Sequence, residues 1–202
     1  MSVKAVVFDL GKVLVDFDYG IAARTLARQS TQSAEAIRII IYQSPLLFRY
    51  EGGGMTTEEF FSEVQKQIGF NGTFTEFAAA FGDIFTEMPA MTRLHAELRS
   101  HGVPTFILSN TNDIAIGHIR RNFPFFASFT DYIFSYEHAA LKPHARIYEV
   151  TEQRTGCRGG EILFLDDKVE NVAAAAARGW GTICHYSAEE STAKVRELIL
   201  AP

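Results

Sequence analysis

Short apolar runs that alternate with helix-like segments constrain this chain more than any other feature. Residues 4 to 9, 104 to 109, 132 to 135, 162 to 166 and 181 to 185 are rich in Val, Ile and Phe. From the second run onward, helical patterns lie between them at Met91 to Ser100, Ile114 to Asn122, Ala145 to Thr155 and Glu170 to Arg178. Runs of this kind, separated by helices, are the βαβ signature of a parallel sheet buried on both faces. Gly102, Gly156 and Gly179 each fall just past a helix end, where a left-handed residue commonly closes the last turn. The expected fold class is α/β, a Rossmann-like doubly wound parallel sheet.

Between the first strand and residue 88 the strand alternation is missing. Helical patterns occupy Ile21 to Arg28, Ala34 to Tyr42, Glu58 to Ile68 and Phe74 to Phe85. The stretch is read as a helical insert, so residues 1–18 plus 87–202 form the core domain and 19–86 a second, inserted domain. Thr56 and Glu59 have capping-box spacing ahead of Phe60-Phe61. Phe74, Phe77, Phe81 and Phe85 recur at three- and four-residue steps, which predicts packing inside the insert rather than contact with a ligand.

Composition excludes several classes of function. A chain of 202 residues with 47% hydrophobic content can bury a full core. The net charge is -5 and the 19 Lys and Arg residues are scattered, so no basic face is available for a nucleic-acid backbone. Cys157 and Cys184 lack metal or redox spacing and are expected as reduced core residues. No apolar stretch reaches the roughly 18 residues of a membrane span, and Asp9 and Lys12 interrupt the N-terminal apolar run, so neither a membrane nor a signal peptide is expected and the location is read as cytoplasmic. The run Ala173 to Ala177 suits a helix packed closely on a sheet.

Chemistry is expected at the strand ends, because ligands of open α/β sheets bind outside the carboxyl ends of the strands. Four segments place polar groups there: Asp9 after Val3 to Phe8, Ser109-Asn110 after Phe106 to Leu108, Lys142-Pro143 after Tyr132 to Ser135, and Asp166-Asp167 after Ile162 to Leu165. A carboxylate such as Asp9 can attack phosphorus and form an acyl phosphate. Two adjacent acids ending an apolar strand are costly without a cation, and Mg²⁺ takes oxygen ligands from a few carboxylates. Ser109 with the N–H groups after it, and the Lys142 ammonium, are donors for a phosphoryl group. Ser109 also qualifies as a helix N-cap, as do Asn110 and Asn112. Lys142 has the alternative of an ordinary surface lysine.

In this order, the segments Phe8 to Leu14, Leu108 to Asn112, Leu141 to Tyr148 and Phe164 to Asn171 resemble the four motifs of the haloacid dehalogenase superfamily of phosphohydrolases. Asp9-Leu10-Gly11, Tyr50-Glu51-Gly52 and Thr56 to Phe60 further resemble its small sugar-phosphate phosphatases of the glucose-1-phosphatase type. The resemblance implies that Asp9 is the nucleophile and Lys142 a catalytic cation, and that Ser109 and Asn110 bind the phosphate. It also implies Mg²⁺ held by Asp167, Asp9 and the Gly11 carbonyl, with Asp166 beside or behind them. Asn171 would orient Asp167, or else face solvent. The substrate would be a small phosphorylated metabolite, and the insert a cap hinged near Phe17-Asp18 and Met88-Pro89.

Gly11 departs from the pattern, since most phosphatases of the superfamily carry there a second Asp that serves as general acid and base. Asp16, Asp18, Lys12 and Glu51 are alternatives for that role, and the sequence does not rank them; a glycine could also widen the entrance to the nucleophile. Two rival readings remain, a metal-independent 2-haloacid dehalogenase and a non-catalytic binding module of the same fold.

Overall fold

The computed structural model describes residues 3–200. In chain order its first half contains β1 (Ala5–Phe8), β2 (Val15–Phe17), α1 (Tyr19–Ala27), α2 (Ala34–Ile41), α3 (Pro45–Glu51), α4 (Thr57–Ile68), α5 (Phe74–Gly82) and β3 (Phe85–Glu87). The second half contains α6 (Pro89–Ser100), β4 (Thr105–Ser109), α7 (Asp113–Asn122), β5 (Asp131–Phe134), α8 (Ser135–His138), α9 (Ala145–Thr155), β6 (Ile162–Asp166), α10 (Val169–Ala176), β7 (Gly181–Cys184) and α11 (Ala188–Val195).

Five of the strands form one parallel sheet in the order β5-β4-β1-β6-β7. β1 lies at the centre, with Val6 aligned to Thr105 on one side and to Leu163 on the other. The pleat sends alternate side chains to opposite faces. Val6 and Phe8 join one apolar cluster with Ile107, Leu163 and Leu165, whereas Ala5 and Val7 join another with Phe106, Leu108 and Phe164. Burial on both faces explains why these strands read as unbroken apolar runs. The chain steps from β1 to β4 and β5 on one side and then crosses to β6 and β7 on the other, so the strand order reverses at β1, where a crevice opens beyond the strand ends.

The expected left-handed glycines occur at Gly102, Gly156 and Gly179, with φ of 75, 67 and 80 degrees. Ala175 is fully buried on α10, in the cluster against the sheet. Thr56 and Glu59 form the reciprocal capping box, and Thr73 with Glu76 forms a second at the start of α5. Of the two unpaired cysteines, Cys157 is buried as expected, but Cys184 ends β7 only half-buried. Among the described residues no helix is long and apolar enough to cross a membrane.

The stretch between β2 and β3 builds its own core, centred on Phe60, Phe77 and Phe81, and the one buried member from outside is Ile114 on α7. Two expectations fail here. The helical pattern assigned to Phe74 to Phe85 stops at Gly82, and Phe85 lies on β3, which pairs antiparallel with β2 through Phe17↔Phe85. Phe77 and Phe81 of the stripe are buried as expected, while Phe74 is 41% exposed. Three helices were not anticipated: α3, whose start carries the Ser44 cap and Pro45, the short α8, and α11, capped by Ser187.

The insert is tied to the sheet unit at definite points. The fully buried Ser135 donates from Oγ to the Glu51 carbonyl at 2.6 Å and accepts from the Thr111 N–H at 3.0 Å. Tyr50 Oη and Thr57 Oγ1 both donate to the Asp113 carboxylate at the start of α7. Gly53, at φ 70 degrees, packs so closely on the Tyr136 backbone that a side chain would collide there.

Candidate active site

Four loops at the carboxyl edge of the sheet converge on one cavity. Asp9 continues the β1 ladder, its N–H donating to the Leu165 carbonyl at 2.8 Å, and the chain then turns, with Leu14 and Val15 both donating to the Leu10 carbonyl. This turn puts Lys12 in the left-handed region at φ 62 degrees without a glycine to mark it. Asp9 Oδ1 accepts the Leu10 N–H at 2.7 Å and the Lys142 ammonium at 2.9 Å. Among the described residues, Oδ2 has no hydrogen-bond partner, and Asp9 lines the cavity.

Lys142 is not a surface lysine. Its side chain is 1% exposed, and besides Asp9 it donates to Asp166 Oδ2 at 2.6 Å and to the Leu108 carbonyl at 3.0 Å. Burial disfavours its charge, but the Asp166 and Asp9 carboxylates outweigh that cost and raise its pKa, so it stays an ammonium. Asn110 holds this residue by the backbone: its Nδ2 donates to the Lys142 carbonyl at 3.0 Å and its Oδ1 accepts the Lys142 N–H at 2.7 Å. Its side-chain amide is thus spent on Lys142, which leaves its backbone N–H, one of the groups after Ser109 expected to meet a phosphate, for an anion. Ser109 is not the N-cap of α7. Asn112 takes that part through Oδ1, accepting the Ala115 N–H at 3.0 Å, while its own buried Nδ2 has no partner among the described residues. The Ser109 hydroxyl makes only a long 3.4 Å contact to the Asn110 carbonyl and borders the cavity.

One carboxylate oxygen each from Asp9, Asp166 and Asp167 lie within 4.8 Å of one another. Asp166 is fully buried and already engaged by Lys142, by the Lys168 N–H at 2.8 Å and by Asn171 Nδ2 at 2.9 and 3.1 Å. Asn171 therefore orients Asp166, not Asp167 as expected, and at 2% exposed it does not face solvent. Asp167 is half-buried and borders the cavity together with Gly11. Burial, against the pull of Lys142, pushes the Asp9 carboxyl up to about 7, and burial together with Asp166 raises Asp167. Carboxylates desolvated in this way are a fitting set of hard oxygen donors for a cation such as Mg²⁺.

The four alternatives for the missing acid separate by position. Lys12 borders the cavity but is paired with the exposed Asp16, and Asp18 caps α1 by accepting the Gly20 N–H at 2.7 Å. Glu51 lines the cavity at the end of α3, where burial pushes its carboxyl up to about 8, opposed by Lys168 and assisted by Asp9. Gly11 does not widen the entrance. A β-carbon there would stand 2.8 Å from Phe17 Cε1, so the Phe17 ring fills the space that a side chain at position 11 would enter. Phe17, on β2, and Phe85, on β3, both border the cavity, a role the sequence did not reveal because neither strand was anticipated.

Comparisons with known proteins bear on the family and the fold. A family model for haloacid dehalogenase-like hydrolases matches residues 3–179. The chain is 26% identical over 195 residues to acyl-CoA dehydrogenase family member 10 of Mus musculus, covering 90% of this chain but spanning only 18% of that protein. It is 27% identical to a sesquiterpene phosphatase of Aspergillus oryzae over 87% of this chain and 86% of that one. It is 24% identical to a D-ribitol-5-phosphate phosphatase of Bacteroides thetaiotaomicron over 89% and 90% of the two chains. The same fold occurs in a family enzyme of Bacteroides thetaiotaomicron crystallised with magnesium and inorganic phosphate, with a TM-score of 0.80, 24% identity and coverage of 90% and 93%. It occurs also in the L-2-haloacid dehalogenase of Xanthobacter autotrophicus, with a TM-score of 0.66, 22% identity and coverage of 99% and 85%.

Proposed function

The chain belongs to the haloacid dehalogenase-like hydrolases, and from that premise we propose that it is a Mg²⁺-dependent phosphatase of small phosphate monoesters that works through an aspartyl phosphate on Asp9. The observation that carries this reading is the carboxylate of Asp9 at the central strand end, held on Oδ1 alone, with Asp167 and Asp166 converging beside it. The phosphatases from Aspergillus and Bacteroides, similar over most of their length, support the same reaction class. So does the magnesium and phosphate complex of the Bacteroides enzyme of this fold.

Asp9, Asp167 and the Gly11 carbonyl would hold the ion, with Asp166 behind them. A bound Mg²⁺ would neutralise charge on the phosphoryl oxygens. Asp9 Oδ2 attacks phosphorus as the ester P–O bond breaks, and the leaving oxygen takes the proton of Glu51, which its raised pKa keeps in place near neutrality. Water then attacks the aspartyl phosphate, gives its proton to the Glu51 carboxylate and releases Asp9 and inorganic phosphate. Lys142 holds Asp9 in line and offsets its charge, while Ser109 and the N–H groups after it receive phosphoryl oxygens. The insert, residues 19–86, acts as the cap that excludes water and meets the organic group.

A metal-free dehalogenase would gain nothing from three converging carboxylates. The deciding experiment measures phosphate release from a panel of small esters with and without Mg²⁺, beside chloride release from 2-chloropropionate. Phosphate release that EDTA abolishes is the expected result. Chloride release in EDTA, or no turnover of any compound, overturns the reading.

A further inference from the structure

The cavity changes character from its floor to its roof. The floor is polar and charged, whereas the side formed by the insert and its two hinge strands presents Phe17, Tyr19, Tyr42, Leu47, Phe48 and Phe85. Ala115 and Ile119 of α7 extend that side. Four of the rings form a continuous wall: Phe85 meets Phe17 edge-on at 6.2 Å, Phe17 meets Tyr19 edge-on at 5.9 Å, and Tyr19 stacks on Tyr42 at 5.0 Å. Phe48 stands at the mouth, 47% exposed, a large ring left in water by a helix whose Leu47 and Tyr50 are buried. The wall begins at the nucleophile turn itself, because Gly11 has no side chain and the Phe17 ring takes that space.

A polyhydroxylated leaving group loses its hydration in such a site and needs a partner for each hydroxyl, since an unpaired buried polar group costs more than the bond it could have made. Along this wall the side-chain partners are the two tyrosine hydroxyls, Gln43, Glu51 and Lys12; Glu51 is already assigned to the leaving oxygen, and Lys12 is paired with Asp16. Apolar surface, by contrast, gains from every methylene or ring edge laid on the wall. Resting on the phosphatase reading above, we infer that the substrate is a phosphate monoester whose organic part is apolar and ring-bearing, and that sugar and polyol phosphates are poor substrates. Gly11 then has a positive role: it brings an aromatic face up to the scissile bond.

The test uses esters whose alcohols have similar acidity: ethyl, hexyl and 2-phenylethyl phosphate, beside glycerol 3-phosphate and ribitol 5-phosphate. The KM should fall roughly two- to fourfold per added methylene, so that hexyl and 2-phenylethyl phosphate fall at least about tenfold below ethyl phosphate and below both polyol phosphates, with kcat changing little. Phe48→Ser, at an exposed position that does not endanger folding, should raise KM for 2-phenylethyl phosphate by several-fold more than for ethyl phosphate. Calorimetric binding of 2-phenylethylphosphonate against ethylphosphonate in Mg²⁺ gives the same ranking without turnover. If no ester is hydrolysed but the phosphonates keep that ranking, the phosphatase reading fails and the recognition stands. A flat alkyl series, a preference for ribitol 5-phosphate, or equal binding of the two phosphonates overturns the inference.

Discussion

The sheet unit and the insert solve burial in opposite ways. The sheet unit buries charge: Lys142, Asp9 and Asp166 lie together under the strand ends, each tied to another. The insert buries rings: Phe60, Phe77, Phe81 and Tyr50 pack on one another, and the aromatic excess continues into the cavity wall. Buried charges need fixed partners at fixed distances, so they belong on strands locked by a hydrogen-bonded ladder. Apolar rings ask only for shape and tolerate replacement, so they suit a part that would select the organic group. Under the proposed function, most of the chemistry would rest on the sheet unit and selection of the organic group on the insert.

The strongest way to break this division is to disarm the sheet unit alone. Asp9→Asn should lower kcat by at least about a hundredfold, near 2.7 kcal/mol of barrier, with an unchanged circular dichroism spectrum. A variant that kept more than about a tenth of the rate would remove Asp9 from the nucleophile role.

Glu51 is the point at which the insert would enter the chemistry. Its pKa is raised to about 8, so the proton needed by the leaving oxygen is present below that pH and lost above it. The rate on alkyl phosphates should fall as pH rises through about 8, and Glu51→Gln should cost about a hundredfold on them and less on 4-nitrophenyl phosphate, whose leaving group needs no proton. An unaltered pH profile in that variant would confine all proton transfer to the sheet unit.

Within the sheet unit the two adjacent acids should separate. Asp167→Asn is expected to raise the Mg²⁺ concentration for half activity about ten- to a hundredfold. Asp166→Asn should instead act through Lys142 and Asn171, lowering kcat and melting temperature more than metal affinity. Metal titrations of both variants decide the order, and a larger metal defect at Asp166 would reverse it.

The smallest effect concerns stability. His95, in the sheet unit, is buried, stacked on Phe129 at 3.8 Å and hydrogen-bonded to Ser128, and burial lowers its pKa from 6.5 to about 4. The unfolded chain takes up a proton below 6.5 that the folded chain refuses until about 4, so stability is full above 6.5 and is lost as pH falls between those values, by on the order of 2 to 3 kcal/mol. The insert has no histidine, and Trp180, the single tryptophan, lies in the sheet unit. Trp180 fluorescence in urea titrations should show this loss, and His95→Gln should flatten it.

Local pattern fixed much of this protein in advance. A buried parallel strand needs a run of apolar residues and a polar stop, and both are contiguous in sequence, so all five sheet strands, the helices α6, α7, α9 and α10 and the positions of Asp9, Ser109, Lys142, Asp166 and Asp167 were legible. What was not legible depends on partners distant along the chain. β2 and β3 are three residues each and pair across the whole insert, so neither carries a signal of its own. Asn110 and Asn171 each had several plausible neighbours, and only the packed loops chose the Lys142 backbone for one and Asp166 for the other. The meaning of Gly11 was hidden for the same reason: a missing side chain says nothing by itself, and the ring that fills its space comes from a strand held in place by Phe85, 74 residues further on.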